Sequence, residues 1–508
     1  ACPIVPLPSQ VEQVAGELRW STLKRISVED ARFSDVAHYL QKEALREAGT
    51  TLSMTTSATD RAIILRPSSE GRMTDEGYDL MITPNQVVIT SATPHGAFNG
   101  VISLLQLVRI AYEVDANGVI SCWHISDAPQ MPWRGLMLDE SRHFFGKETV
   151  ERILDWMAFY KLNRFHWHLT DVPGWRIEIK AFPRLALVGG IGNHTDSLAN
   201  ARYYTQDEIN EVVAYAKERF IEVIPEIDMP GHARAANRAY PAYSGGGSKD
   251  YPEFTFNPGK EGTYAYLAKM LREVDVLFPS KMIHIGGDEV AFGNEKWKTD
   301  RDVQGLINKN HLGDLKDVER YFVQRMADSV IQLKAKVLAW DEAASTNISA
   351  DDMIIFWWRQ NKPEALKEAI DNGYKVVLCP RIPFYFDFVQ DSAHVVGRRW
   401  YGKFSDLKTV YEFSVDQYPD IIRTKNREQV LGMQANIWTE RIASVARLEY
   451  MLFPRITALA EAAWTNSDHR DYASFLKDRL PKQLLLFKRA RIHYFDATSP
   501  SSTPEIIE

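Results

Sequence analysis

The chain has 508 residues, more than one domain usually holds, so it carries two or more domains or one large barrel with an addition. Hydrophobic residues make up 45% and charged residues 25%, enough for a sizeable core. The net charge of −7 excludes a basic nucleic-acid footprint, no apolar run reads as long enough to span a membrane, and three scattered cysteines are too few for a disulfide framework or a zinc cluster.

The start, Cys2-Pro3-Ile4-Val5-Pro6, is rich in proline. Cys2 suits a lipidated terminus left after removal of a signal peptide, which points to a secreted or periplasmic protein anchored through Cys2; a plain processed terminus is the alternative. Cys122 and Cys379 sit in apolar contexts and read as buried thiols. Ala62–Leu65 reads as a strand. Tyr78–Ile82 and Gln86–Thr90 read as a hairpin across Thr83-Pro84-Asn85. Pro94–Arg109 has one apolar face (Phe98, Val101, Leu104, Leu105, Val108) and reads as a helix. Residues 1–130 thus predict a small α+β domain, closed by a Pro-containing junction over Trp123–Pro132.

From Arg134 the pattern changes to apolar runs alternating with amphipathic helices. Eight strands are expected: Gly135–Leu138, Arg164–Leu169, Phe220–Ile227, Lys281–Ile285, Lys336–Ala339, Met353–Phe356, Lys375–Leu378 and Val430–Asn436. Helices are expected between most of them. This predicts a (β/α)8 TIM barrel over residues 131–490. Residues 491–508 form a tail, and Ser499–Pro504 reads as disordered.

In such barrels function sits at the carboxyl ends of the strands. Each end here carries polar or aromatic residues. In order these are Asp139 and Arg142, His168 and Asp171, Asp228 and His232, Asp288 and Glu289, Trp340, Trp358, Tyr385 and Asp387, and Trp438 and Glu440. One such residue is easily core; eight loaded mouths are not. The fourth is the most telling. His284-Ile285-Gly286-Gly287-Asp288-Glu289 ends a buried strand in two glycines, which permit a turn and close ligand approach, and then in two adjacent carboxylates. Like charges side by side raise one pKa, which suits proton donation. Carboxylates with tryptophan walls suit glycoside cleavage.

These motifs resemble family 20 glycoside hydrolases, the exo-β-N-acetylhexosaminidases. The resemblance rests on Asp139-Glu140-Ser141-Arg142-His143, His166-Trp167-His168-Leu169-Thr170-Asp171, Glu226-Ile227-Asp228-Met229-Pro230-Gly231-His232 and the His284–Glu289 run. Trp340-Asp341-Glu342 and Gln434–Glu440 extend it. It runs from about Arg134 to about Trp464, and Gly77–Val108 is similar to the α+β domain that precedes the barrel in this family. The resemblance implies substrate-assisted retention, an exception to the two-carboxylate scheme. Glu289 would be general acid and then base, and the substrate's acetamido oxygen the nucleophile. Asp288 would hold the acetamido N–H and stabilise its developing positive charge, and Tyr385 would donate to the acetamido carbonyl. Trp340, Trp358 and Trp438 would wall the pocket, Trp358 being preferred to its neighbour Trp357. Arg142, Asp387 and Glu440 would bind ring hydroxyls, Trp400 would wall the next sugar, and Asp171, Asp228 and His232 would orient the acid. No cofactor or metal is implied. The expected partner is an oligosaccharide or glycoconjugate; the sequence leaves the oligomeric state open.

Three other readings stand beside this one. His166-Trp167-His168 is an H-x-H pair whose side chains share one strand face, as in some metal-dependent hydrolase barrels. The aromatic mouth would also suit a catalytically silent glycan binder, although such a protein has no use for the Asp288–Glu289 pair. Within the family, an enzyme releasing a disaccharide is the runner-up.

Overall fold

Alternation in the N-terminal sequence becomes alternation in burial. The computed structural model describes residues 2–57, 60–69 and 73–507. Its N-terminal unit is a mixed sheet of β1 (Gln10–Arg19), β2 (Arg25–Val28), β3 (Ser53–Thr55), β4 (Ala62–Pro67), β5 (Tyr78–Ile82), β6 (Val87–Ser91) and β7 (Val119–Asp127), in the order β1-β7-β5-β6-β4-β2-β3. The expected hairpin is β5–β6, with Leu80 opposite Ile89 and both buried. Part of the expected junction is strand instead, because residues 123–127 extend β7 to Asp127. That residue is buried and ties the units together, accepting from Tyr78 Oη (2.8 Å) and from Trp464 Nε1 (3.0 Å).

The helix Pro94–Val114 is capped by Thr93, whose hydroxyl accepts the Gly96 N–H at 3.2 Å, and Pro94 presets its first turn. Gly100 lets it lie against the sheet, since a Cβ there would sit 2.6 Å from Ile89 Cγ2. The expectation that no run is long enough for a membrane is corrected here. By length and composition this helix, with mean hydropathy 1.2, qualifies, yet 78% of its apolar stretch is buried. Its apolar surface is taken up by the sheet and by the barrel helices Lys147–Phe159 and Leu480–Arg489.

The second unit is a closed parallel barrel of β8 (Trp133–Asp139), β9 (Arg164–His168), β10 (Glu222–Glu226), β13 (Met282–His284), β14 (Lys336–Trp340), β15 (Met353–Trp357), β16 (Lys375–Leu378) and β17 (Val430–Ile437). A two-stranded ribbon, β11 (Ser244–Gly246) and β12 (Thr255–Phe256), lies between β10 and β13. All eight expected barrel strands form. Covered on both faces, they are rich in apolar residues; every residue of β8 is buried, Arg134 and Asp139 among them. Helices such as Lys147–Phe159, Gln206–Lys217, Glu261–Leu277, Leu315–Gln332 and Pro363–Asp371 connect them, giving a (β/α)8 barrel.

Cys2 is only 7% exposed and packs in the core. One terminal expectation changes. Ser499–Pro504, expected to be disordered, is folded back onto the barrel. Tyr450 Oη donates to the Thr503 carbonyl at 3.3 Å, and Glu505 pairs with the buried Arg447 at 3.1 Å while accepting the Val395 and Val396 N–H groups. A cavity of about 1140 Å³ lies at the opposite end of the barrel from the loaded mouths, between helix Ser34–Ala48 and the starts of β9 and β10. Its walls mix both charge signs (Arg32, Lys42 and Arg164 against Asp35, Glu76 and Glu222) and converge on no common group.

Candidate active site

The chain leaves β13 through left-handed backbone: φ is +70° at Gly286, +92° at Gly287 and +53° at Glu289. A non-glycine residue held there stores strain of the kind found at functional sites. The close approach that Gly286 permits is not to a ligand but to Asp228, whose Oδ1 would lie 1.8 Å from a Cβ at that position. Asp288 is buried, whereas the Glu289 side chain is 31% exposed. Burial above all, with Glu289 adding and His232 opposing, pushes the Asp288 carboxyl up to about 6. The like-charge effect expected from sequence is therefore real but secondary. Burial and then Asp288 hold Asp228 well above the carboxylate range.

Behind this pair, Asp171 is a hub. Its oxygens accept from His168 Nε2 (2.9 Å), His232 Nδ1 (2.9 Å) and the Val172 N–H (2.6 Å), and Arg142 Nη2 lies 2.8 Å away. Burial would raise this carboxyl, but Arg142 and His232 outweigh it and hold it well below the usual range. His232 in turn points Nε2 between Asp288 (3.5 Å) and Glu289 (3.6 Å). Asp139 fixes the arginine, accepting from Arg142 Nη1 at 3.1 Å.

The aromatic residues form one wall. Trp358 and Tyr385 stack with ring centres 6.3 Å apart and a 12° interplanar angle. Tyr385 and Trp340 lie 6.1 and 6.0 Å from Trp438, and Arg142 sits 5.1 Å over the Trp438 ring. Trp358 Nε1 donates to Glu342 at 3.1 Å, whereas Trp357 faces away, donating to the Lys362 carbonyl and packing on Tyr418. At the far rim, Arg398 bridges Asp387 (3.1 Å) and Glu440 (2.6 Å). Burial pushes Asp387 up to about 7 against the pull of Arg398. Trp400 joins the wall through Arg381, which covers both Trp358 and Trp400 at 4.8 and 4.9 Å.

The H-x-H pair does share one face. His168 Nδ1 lies 2.6 Å and His166 Nε2 2.8 Å from the same Glu226 oxygen. Two ligands of a tetrahedral zinc stand about 3.3 Å apart, given Zn–N and Zn–O bonds near 2.0–2.1 Å. These closer separations are those of direct carboxylate–imidazole contacts.

The pattern described as "Glycosyl hydrolase family 20, catalytic domain" matches residues 131–467, and "Glycosyl hydrolase family 20, domain 2" matches residues 1–128. The chain belongs to glycosyl hydrolase family 20. A beta-hexosaminidase of Porphyromonas gingivalis is 32% identical over 489 residues, covering 93% of this chain and 62% of that protein. One of Vibrio furnissii is 33% identical over 478 residues, covering 90% and 76%. The crystal structure of a GH20 exo beta-N-acetylglucosaminidase from Vibrio harveyi in complex with N-acetylglucosamine superposes with a TM-score of 0.89 at 31% identity, over 97% of this chain and 78% of that one. The chain thus spans less than two thirds of the first of these relatives.

As a family 20 barrel, the molecule gathers every expected site residue at one mouth, with Trp400 at its edge. Sequence reading left four neighbours without a role. Glu342 lies inside a quoted motif and holds Trp358. Arg398 sits on the long segment between β16 and β17, far from any strand end, and Arg381 opens the short helix Arg381–Phe384 just after β16. Glu226 is the last residue of β10 but falls inside the expected strand Phe220–Ile227. The run Gly397-Arg398-Arg399-Trp400, two cations before an aromatic, was the available signal for Arg398.

Proposed function

We propose that this chain is an exo-acting β-N-acetylhexosaminidase that removes terminal β-linked GlcNAc or GalNAc from glycoconjugates or chitooligosaccharides by substrate-assisted retaining hydrolysis. The observation that carries the reading is the asymmetry of the carboxylate pair. Glu289 opens to the pocket while Asp288 is buried beside it, so one is placed to exchange protons and the other to stay a fixed charge.

Glu289 protonates the leaving glycosidic oxygen as the substrate's acetamido oxygen attacks C1. The intramolecular attack gains from proximity, and Asp288 stabilises the positive charge that develops on the acetamido nitrogen. Tyr385, Trp340, Trp358 and Trp438 shape the acetamido pocket. Glu289, now a carboxylate, then activates the water that opens the oxazolinium intermediate with retention. Arg142, Asp387 and Glu440 hold the ring hydroxyls of the terminal sugar. The names of the relatives support this chemistry, and the closed Trp358–Tyr385–Trp438 wall favours release of one sugar at a time. The test is turnover of aryl N-acetyl-β-glucosaminide and galactosaminide, followed by binding of a thiazoline analogue of the intermediate. A thiazoline that binds no better than GlcNAc would refute acetamide participation.

A further inference from the structure

We propose that Glu226 is a positioning residue for both halves of this reaction: through His168 and Asp171 it fixes the His232 imidazole beside Glu289, and through the Trp340 indole it fixes the wall of the acetamido pocket. The inference rests on the hydrolytic reading above and extends it to a carboxylate that no substrate atom touches.

Glu226 is fully buried at the end of β10. Its two oxygens face opposite tasks. Oε1 accepts the Trp340 Nε1–H at 2.9 Å. Oε2 meets His168 Nδ1 at 2.6 Å. The other nitrogen of His168 meets Asp171 Oδ2 at 2.9 Å, so the ring is held between two carboxylates. Both carboxylates can only accept, so both ring nitrogens carry protons and His168 is an imidazolium. The line from floor to pocket therefore alternates in charge: Glu226, His168, Asp171, His232, then Asp288 and Glu289.

The remaining neighbours do not compete for this role. Gln434 Nε2 donates to His166 Nδ1 at 3.0 Å, so His166 turns Nε2–H toward Glu226 and needs no positive charge. His284 Nδ1 accepts the Gly286 N–H at 3.1 Å, so it offers Glu226 no proton although it lies 3.3 Å from Oε1. The charged and titratable groups facing the Glu226–His168 pair are thus His166, His284, Asp139 and Asp171, with Asp228 and Asp288 within electrostatic reach. Burial opposes both charges of the pair, but Glu226, with Asp171 and Asp139, holds His168 well above the imidazole range, and His168, with His284 and His166, holds Glu226 well below the carboxylate range. A paired buried charge whose hydrogen bonds are met is a rigid support, and removing one partner exposes the other to the full cost of burial.

Glu226→Gln keeps the shape and the acceptor for Trp340 but removes the charge that holds the second proton on His168. We expect kcat on substrates with poor leaving groups to fall roughly ten-fold or more, a fraction of what general acid catalysis supplies. KM should stay within about two-fold, and kcat on activated aryl glycosides should change far less. The pH profile should gain a limb near the ordinary imidazole range as His168 loses its proton, absent in the wild type. Trp340→Phe, which keeps an aromatic face but deletes the indole N–H along with the pyrrole ring, tests the second arm and should lower kcat on both leaving-group classes alike. If Glu226→Gln does not fold, His168→Gln tests the first arm by the same split between leaving-group classes, and with no imidazole left it should show no new pH limb. Equal loss on both leaving-group classes with an unaltered pH profile would reduce Glu226 to a structural residue and overturn the proposal. That result would leave the hydrolytic reading standing, whereas absence of turnover by the wild-type protein, or a wild-type-like Asp288→Asn, would refute the reading itself.

Discussion

The mouth holds two carboxylate clusters, and they are built in opposite ways. Around Asp171 every oxygen is supplied with donors, and the group is held ionised by Arg142 and His232. Around Asp387 and Glu440 neither Asp387 oxygen and not Glu440 Oε2 accepts a well-directed hydrogen bond; Arg398 donates to Glu440 Oε1 at 2.6 Å but faces Asp387 only as a charge. A buried acceptor without a donor costs about 1–3 kcal/mol, so such groups persist where something else meets them. The first cluster is a finished support for the acid. The second is an unfinished one, suited to sugar hydroxyls, which donate where the protein does not.

The contrast can be broken from either side. Glu289→Gln should cost the most, lowering kcat on unactivated substrates by about 10²–10⁴-fold and far less on activated aryl glycosides. Asp288→Asn should lower kcat by about 10²–10³-fold, the scale of one preorganised stabiliser, in steady-state assays of acetamido substrates. Because Asp288 must be ionised and titrates at about 6, kcat should fall as pH drops through that value. On the other wall, Asp387→Asn should raise KM by about ten-fold, near 1.4 kcal/mol, with kcat little changed. The same variant should alter stability with a definite sign. The folded state holds a proton up to about pH 7 that the unfolded chain releases near its ordinary pKa of about 4, so this site's stability contribution declines as pH rises between those values and stays lost above. Asp387→Asn should therefore raise Tm by about 2 °C at pH 8 and not at pH 4, measured by scanning calorimetry. Last, Arg398→Ala should raise KM by about three-fold, with Arg398→Lys restoring part of it.

How legible these clusters were depends on where their residues lie. The eight barrel strands are buried on both faces and read as apolar runs. β1 was missed because its residues are mostly exposed and it is a strand only through pairing with β7. Asp288, Glu289, Asp171 and His232 follow strand ends closely and were readable from spacing. Asp387 and Trp400 lie in the long segment between β16 and β17; Asp387 was legible as following the seventh strand, whereas only resemblance located Trp400. Glu226 reads as strand interior, and nothing local distinguishes a structural carboxylate there from one that carries charge toward the pocket. Its partners come from three other strands, a relation fixed by barrel closure rather than by sequence spacing.

The folded-back end of the chain has a consequence for binding. Glu505 grips the backbone of Val395 and Val396, and Arg447, which holds Glu505, also donates to the Val396 carbonyl. The same loop delivers Arg398 two residues later. A tether more than a hundred positions away in sequence thus sets how much freedom the sugar-facing rim must surrender when a ligand arrives. Trimming or loosening that tether would be felt as faster product escape and weaker grip, with the bond-breaking machinery on the opposite wall untouched.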